Sequence, residues 1–307
     1  MKRPSTPEDW LSGYIPDLPT PFDHDGDIDL DAFRRLCERQ IAAGVFAFVV
    51  GETAGEASTL SSRERETIIR VAVEVARGRT RIIAGAGSNS TDRAIELTRL
   101  AEGAGADAVL SVLPYYNKPV QEGIYRHFRA IADSTMLPII LHDVPARIVR
   151  ELADTTLLRL AESRQFVGLR DGSGDAARPL RLTALLPSRF RLLTSDDASA
   201  LAYLANGGDG CISTVSNLTP DLCQEIFSGL RCGQLQTAQD LQRQLMPLSA
   251  SLSKDHPAAL KYALSLLGLM DPATRLPLVE LDAPAKAAVA MAVAGIDADQ
   301  PATVEGW

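Results

Sequence analysis

The sequence predicts a (β/α)8 barrel with extra helices at its C-terminal end. Strand and helix patterns alternate from about residue 12 to residue 230, with a repeat of roughly 30 residues and eight such units. The strand candidates are short and continuously apolar, which is typical of parallel strands buried on both faces. A doubly wound sheet is the competing architecture, but the regularity of the units and the lack of a switch point favour the barrel.

The elements follow from local patterns. The strands are predicted at residues 13–16, 45–50, 81–86, 108–113, 138–143, 166–170, 191–195 and 210–214. The helices are predicted at residues 30–43, 62–77, 91–103, 122–134, 153–161, 176–185, 198–206 and 220–230. Asp29 is the predicted N-cap of the first helix, and Ser61 with Glu64 predicts a capping box before the second. Thr219 and Pro220 predict the start of the eighth.

The remainder of the chain carries no strand pattern. Helices are predicted at 233–251, 257–267 and 283–294, and the tail 296–307 is predicted to be loose. We therefore expect a barrel at residues 1–230 and a helical extension at 231–307, packed on the barrel as one structural unit.

Composition excludes several classes of function. The chain has 307 residues and a net charge of -8, without a block of basic residues, which argues against nucleic-acid binding. No signal peptide and no membrane-spanning run is indicated, so a cytoplasmic protein is expected. The cysteines form no Cys-x-x-Cys pair, which predicts neither a metal nor a redox site, and they are expected to be buried. They are Cys37, Cys211, Cys223 and Cys232.

In a barrel, chemistry is carried by residues that follow the C-terminal ends of the strands. Asp17, Thr20 and Pro21 follow the first strand. The later strands are followed in turn by GETAGEAS (51–58), GAGSNS (85–90), PYYNKP (114–119), HDVPAR (142–147), RDGSG (170–174), SDDAS (195–199) and STVSN (213–217).

Some of these motifs have a plain alternative. The backbone N–H groups of the loop around Gly55 are suited to holding a carboxylate, but the loop could equally be a simple turn. GAGSNS matches a dinucleotide fingerprint incompletely because Ser90 takes its last position. DHDGDID at 23–29 is not an EF-hand loop, because Arg34 stands where the bidentate Glu belongs. His142 is either a core histidine or a functional group, whereas surface roles are expected for His24, His127 and His256.

With these loops assembled, the chain resembles the dihydrodipicolinate synthase / N-acetylneuraminate lyase family from about residue 12 to residue 295. PYYNKP, HDVPAR, LRDGSG, TSDDASA and GGDGCIST occur in the family's order. SDDASAL and QRQLMPL (242–248) favour the dihydrodipicolinate synthase branch. The resemblance implies a lysine that forms a Schiff base with pyruvate, a proton relay of a threonine and two tyrosines, and no cofactor or metal. One tyrosine comes from the neighbouring subunit, so a homodimer or homotetramer is implied.

Residue by residue, the resemblance retains some groups and loses others. Thr53 and Tyr116 match the relay, Arg147 matches the arginine that meets a substrate carboxylate, and Ile212 matches a wall residue. Five residues depart from the pattern. Arg170 stands at the lysine position, His142 at the tyrosine position, Ala54 at a second threonine, and Glu52 and Ser195 at glycines. A guanidinium stays protonated and cannot attack a carbonyl as an amine does.

Three hypotheses follow from these departures. The first is a carbon–carbon or carbon–oxygen lyase that acts on a small 2-oxo acid without an imine. In it Arg170 polarises the substrate, His142 is the acid/base, and Thr53 and Tyr116 complete the relay. Arg147, Gly55, Glu52, Ser195 and Ile212 would contact the substrate. The second is an inactive family member that binds a small carboxylic acid through Arg170 and Arg147, and the third is a scaffold with an empty mouth.

Overall fold

The computed structural model describes residues 10–254 and 256–299, with side chains described as far as residue 296. Its core is an eight-stranded parallel sheet in the order β1-β8-β7-β6-β5-β4-β3-β2. The strands are β1 (Gly13–Pro16), β2 (Ala47–Val50), β3 (Arg81–Gly85), β4 (Ala108–Val112), β5 (Ile139–Asp143), β6 (Phe166–Asp171), β7 (Arg191–Thr194) and β8 (Gly210–Ser213). The circle closes where Asp17 bridges Val49 and the Leu18 N–H donates to the Val49 carbonyl at 2.9 Å. The predicted (β/α)8 barrel is confirmed.

Helices surround the barrel. They are α1 (Leu30–Ala42), α2 (Ser62–Ala76), α3 (Thr91–Ala104), α4 (Gln121–Ala132), α5 (Pro145–Ile148), α6 (Asp154–Ala161), α7 (Arg178–Leu182), α8 (Ala200–Ala205), α9 (Pro220–Arg231), α10 (Leu235–Lys254), α11 (Ala258–Leu266) and α12 (Ala283–Asp299). Asp29 accepts from Ala32 N at the start of α1, and the Ser61–Glu64 capping box is formed. Thr219 precedes α9 but makes no capping hydrogen bond, because its hydroxyl donates to the Val215 carbonyl.

Apolar side chains fill the interior of the barrel. Residues such as Leu11, Ile15, Val49, Leu110 and Ile212 point inward and are fully buried. A second apolar layer lies between the strands and the surrounding helices. The interior is therefore a packed core rather than a channel, and the opening lies at the carboxyl ends of the strands.

The C-terminal helices α10, α11 and α12 pack on one another, and α10 also packs on α9. The tail prediction was wrong at its start, because α12 continues to Asp299 and Ile296 is buried. The rest of the predicted tail, residues 300–307, lies outside the described residues. One cysteine prediction was also wrong: Cys232 is exposed at the C-cap of α9. None of the described helices is long and apolar enough to cross a membrane.

Two cations from the C-terminal region anchor the loop after β2. Lys261 of α11 forms a buried ion pair with Glu56, and its Nζ donates to the Ala273 carbonyl at 2.9 Å. The backbone N–H of Arg275 donates to the other Glu56 oxygen at 3.0 Å. Both cations also lie against the ring of Phe22. The extension is thus fastened to the barrel at the loop that carries residues 51–58.

Candidate active site

Four ionisable side chains meet at the carboxyl ends of β1, β2, β5 and β6. Arg170 Nη1 lies 2.9 Å from Asp17 Oδ2 and 3.2 Å from Glu52 Oε2. The other Glu52 oxygen, Oε1, lies 3.0 Å from His142 Nδ1. All four are buried, with exposed fractions of 0% for Asp17, 2% for His142, 5% for Arg170 and 7% for Glu52. They form one continuous chain, Asp17–Arg170–Glu52–His142, which we call the mouth chain.

The local fold explains how these side chains meet. His142 and Arg170 are direct partners in the β5–β6 register, so both side chains leave the sheet at the same level. Gly51 has a φ of 64°, which turns the chain after β2 and brings Glu52 back over the barrel. A Cβ on Gly55 would lie 3.1 Å from both Gly51 N and Thr20 Oγ1, so a larger residue would fit only if these neighbours shifted. Thr20 also donates to the Gly55 carbonyl at 2.8 Å.

Burial and mutual pairing set the protonation of the mouth chain. Burial alone would raise the pKa of Glu52, but His142 and Arg170 hold that pKa well below its usual value. Burial lowers the pKa of His142, and the Glu52 carboxylate offsets this only in part. Burial raises the pKa of Asp17, and Arg170 reverses only part of that rise. At neutral pH, Arg170 and Glu52 are therefore charged and the His142 ring is neutral.

Two adjacent cavities open over the mouth chain. The first, the Arg170 lobe, has a volume of about 280 Å³ and is lined by His142, Arg170, Ser195 and the end of α10. The second, the Tyr115 lobe, has a volume of about 380 Å³ and lies between the β2 loop, Tyr115 and the segment around Pro277. Their common wall is formed by Thr53, Val144, Arg147 and His256.

Several polar atoms face these lobes without a partner in the described part of the chain. Arg170 uses only Nη1 for its ion pairs and its Nε is buried, so Nη2 is the guanidinium nitrogen left for the Arg170 lobe. His142 uses Nδ1 for Glu52, which leaves Nε2. Arg147 is exposed, and no carboxylate of the described residues forms an ion pair with it. These groups are suited to binding an anion and transferring a proton.

The structure brings together most of the predicted site residues. Thr53, Glu52, His142, Arg147, Arg170 and Ser195 all line one or both lobes. Three predicted residues do not. Ile212 is buried in the barrel core, Gly55 shapes the turn of the β2 loop, and Tyr116 is 88% exposed outside both lobes.

Two predictions for histidines were wrong, and one residue had no predicted role. His256 is half-buried and lines both lobes, and His127 is buried with Nδ1 3.0 Å from Thr91 Oγ1. His24 is exposed, as predicted. Asp17 was placed correctly after the first strand, but nothing in its surroundings indicated its pairing with Arg170. The only available signal for it was an acidic residue at a strand end.

No lysine among the described residues lines either lobe. Lys118 lies in the loop after β4, and Lys254 and Lys286 lie on α10 and α12. Lys261 has a pKa lowered to about 8 by burial, which its pairing with Glu56 partly opposes. Its ammonium group is paired with Glu56, and Lys261 itself lines neither lobe. Lys2 lies outside the described residues. Within residues 10–254 and 256–299, no group of three or more His, Cys, Asp or Glu side chains is arranged to hold a metal ion.

A packed (β/α)8 barrel with ionisable side chains around a cavity at the carboxyl ends of its strands has the architecture of the barrel enzymes. Within that class, the chain belongs to the dihydrodipicolinate synthetase family, whose sequence profile matches residues 10–295.

Curated relatives and solved structures agree with this assignment. The chain is 47% identical over 290 residues to the 4-hydroxy-tetrahydrodipicolinate synthase of Hyphomonas neptunium, which covers 93% of this chain and 99% of the relative. It is 38% identical, with a TM-score of 0.91, to the structure of that synthase from Methylacidiphilum fumariolicum, which covers 94% and 96% of the two chains. A dihydrodipicolinate synthase from Acinetobacter baumannii, solved in complex with pyruvate, is also 38% identical, with a TM-score of 0.90 and coverage of 94% and 99%.

Proposed function

We propose that this chain binds a small, pyruvate-like 2-oxo acid at the barrel mouth and acts on it as a lyase, making or breaking a carbon–carbon or carbon–oxygen bond. The reaction would proceed without a Schiff base, because Arg170 takes the position of the family's lysine. A true dihydrodipicolinate synthase activity is not expected. The fold, the family and the pyruvate complex of a relative support the choice of substrate class.

The observation that carries the proposal is that three residues, which the sequence resemblance sets apart from the family pattern, contact one another. Glu52, His142 and Arg170 stand where glycine, tyrosine and lysine are usual, and they are joined by contacts of 3.0 and 3.2 Å. Substitutions that accumulate after function is lost have no reason to form a buried, charge-paired chain. Their pairing supports a rebuilt acid/base site rather than a decayed one.

The roles follow from the free atoms. Arg147 and the Thr53 loop would bind the carboxylate of the 2-oxo acid. His142 Nε2 would take a proton from the carbon next to the carbonyl, and Glu52 would stabilise the imidazolium that forms. The electrons of the broken C–H bond become the C=C bond of an enolate, whose oxygen would be stabilised by Arg170 Nη2. The enolate would then add to an aldehyde, or in the reverse direction be released by bond cleavage.

Assembly and location are part of the proposal. Tyr116 is exposed and held at a φ of 71°, which suits a side chain presented to another copy of the chain. We propose that it reaches the neighbouring subunit's Tyr115 lobe in a homodimer or homotetramer, where its hydroxyl would complete the proton relay with Thr53 and so be needed for exchange. Residues 1–230 and 231–307 would act as one structural unit, and the protein would be cytoplasmic, with no nucleic-acid or membrane partner and no cofactor.

A second candidate is a family member that binds a small acid without turnover. It is favoured by the pairing of Arg170 with two carboxylates, Asp17 and Glu52, because this pairing neutralises the charge that would polarise a carbonyl. In that case Arg147 would supply most of the attraction for the acid.

Proton exchange separates the two candidates. Wild-type protein is incubated with pyruvate in deuterium oxide, and loss of the methyl proton signal is followed by NMR. We expect exchange well above the buffer rate, and a loss of about 100-fold or more in His142→Gln, because general-base catalysis contributes about 10²–10⁴-fold. The exposed His24→Gln is the matched control and should exchange like the wild type. Equal rates in His142→Gln and wild type would refute the catalytic proposal.

A further inference from the structure

His256 occupies a position at the barrel mouth that no sequence motif marked as functional. It lies between α10 and α11 and lines both lobes, as Arg147 does. Its Nε2 is 3.4 Å from Thr214 Oγ1, a weak contact just after β8. Its Nδ1 has no partner among the described residues, so the ring has hydrogen-bonding capacity to offer at the common wall.

Charged groups surround His256 on several sides. The guanidinium groups of Arg147, from α5, and Arg170, from β6, oppose its protonation, and Glu52 favours it. On its other side His256 shares a cavity with Lys254, Glu280 and Asp282. Burial and then these two guanidinium groups hold the pKa of His256 far below its usual value. Without a ligand, the imidazole is therefore neutral at neutral pH.

The other acids of the Arg170 lobe are occupied elsewhere. Asp196 accepts from the Ser199 hydroxyl and from Ala198 N. Asp197 accepts from the Ser213 hydroxyl and from two backbone N–H groups, those of residues 214 and 215. Neither is an ion-pair partner for Arg147 or His256. In the part of the chain that the structure describes, the common wall thus carries a guanidinium without an ion-pair partner and a neutral imidazole.

We propose that Arg147 and His256 form a clamp for the substrate carboxylate, and that His256 takes up a proton as the anion binds. This inference rests on the proposed function for the identity of the ligand. A bound carboxylate adds a negative charge next to the ring and offsets the two guanidinium groups, so the protonated imidazole becomes favourable. It then donates to the carboxylate beside the Arg147 donors. Binding is coupled to proton uptake, and carboxylates are selected over neutral carbonyl compounds.

Proton uptake can be measured directly by calorimetry. Pyruvate is titrated into the full-length protein at about pH 6, near the ordinary pKa of histidine, in MES and in bis-Tris, which differ in heat of ionisation. The difference in observed heat gives the number of protons bound per pyruvate. The same titrations are made with His256→Asn, which keeps a hydrogen-bond donor but cannot take the proton, and with the exposed His24→Gln as the comparison histidine. Pyruvamide serves as the neutral probe.

We expect the wild type and His24→Gln to take up a measurable fraction of a proton, rising as the pH is lowered. His256→Asn should take up clearly less and bind pyruvate about tenfold more weakly at about pH 6, a typical effect for one hydrogen bond to a charged group. Pyruvamide should bind weakly to all variants, without uptake. Unchanged melting temperatures show that His256→Asn is folded.

The inference is overturned if pyruvate binds without proton uptake, if His256→Asn takes up as much as the wild type, or if pyruvate does not bind at all. The proposed function fails independently. Proton-coupled binding without carbon–hydrogen exchange would leave the clamp standing and favour the binding-only candidate. Carbon–hydrogen exchange without proton uptake would refute the clamp and leave the proposed lyase function standing.

Discussion

Replacing Arg170 with lysine is a sharp test of how the mouth chain controls chemistry. Arg170→Lys would put a primary amine at the end of β6, where the family resemblance places its nucleophile. The amine would inherit two carboxylate neighbours, since Arg170 now lies 2.9 Å from Asp17 and 3.2 Å from Glu52. Both carboxylates stabilise the ammonium form, which cannot attack a carbonyl. We therefore expect that the amine alone does not restore imine formation.

The size of the effect follows from acid–base equilibria. With an ordinary lysine pKa of about 10.4, roughly one amine in 10³ is neutral at about pH 7.4. A nearby carboxylate raises such a pKa by about 1–3 units, so the neutral fraction falls a further 10- to 1000-fold. Removing one of the two carboxylates, in Arg170→Lys/Glu52→Gly, should raise the fraction of neutral amine at least about tenfold above that in Arg170→Lys. Glycine is also the residue usual at position 52 in the family pattern.

Reductive trapping measures this difference. Each protein is incubated with pyruvate and borohydride, and the covalent pyruvate adduct is followed by mass spectrometry. The wild type should show no adduct, Arg170→Lys a slow reaction, and the double variant a reaction at least about tenfold faster. The reasoning is refuted if Arg170→Lys reacts as fast as the double variant. An adduct in the wild type would refute the imine-free proposal itself.

Three further predictions concern stability and assembly. Burial lowers the pKa of His127 from 6.5 to about 4. The unfolded chain therefore takes up a proton at this residue before the folded protein does, and the folded state loses stability as the pH falls from 6.5 toward 4. When the pH is lowered from about 7 to about 5, the free energy of unfolding, measured by urea denaturation, should therefore fall by about 2 kcal/mol more in the wild type than in His127→Gln. Arg178→Leu leaves two buried carboxylates without their cation and should cost about 3–5 kcal/mol in urea unfolding, whereas the exposed Arg181→Leu should have little effect. Mixing inactive Tyr116→Phe with inactive His142→Gln should restore about one quarter of the exchange rate if the tyrosine acts across a dimer, and none if each chain is self-sufficient.

Much of the fold was predictable because short-range patterns determine it. Continuous apolar runs gave all eight strands, and the Ser61–Glu64 capping box gave the start of α2 to the residue. The ends of helices were harder to predict where hydrogen bonds in the neighbouring loop determine them. The helix predicted at 176–185 is only Arg178–Leu182, because Asp175 and the residues before it form hydrogen-bonded turns.

The site was predictable in its members but not in its pairing. Sequence order places Arg170 and His142 at strand ends, yet the Arg170 contact to Asp17 spans 153 residues and exists only because the sheet closes into a barrel. His256 was missed for a related reason. Helical periodicity indicates that α10 and α11 form, but not that the connection between them lies over the mouth. That placement depends on packing against α9 and the β2 loop, which no local pattern encodes.

The anchoring of the β2 loop has a consequence for biosynthesis. Glu56 and Thr59 emerge from the ribosome more than 200 residues before Arg275, whose contacts with them span 219 and 216 residues. A nascent barrel ending near residue 230 would hold Glu56 without the Lys261 ammonium and the Arg275 backbone N–H, and Glu52 would lie on an unanchored loop. Because chains fold from the N-terminus as they are made, the mouth can be completed only near the end of translation. On the proposed function, a chain still being synthesised would therefore lack a complete site for a 2-oxo acid.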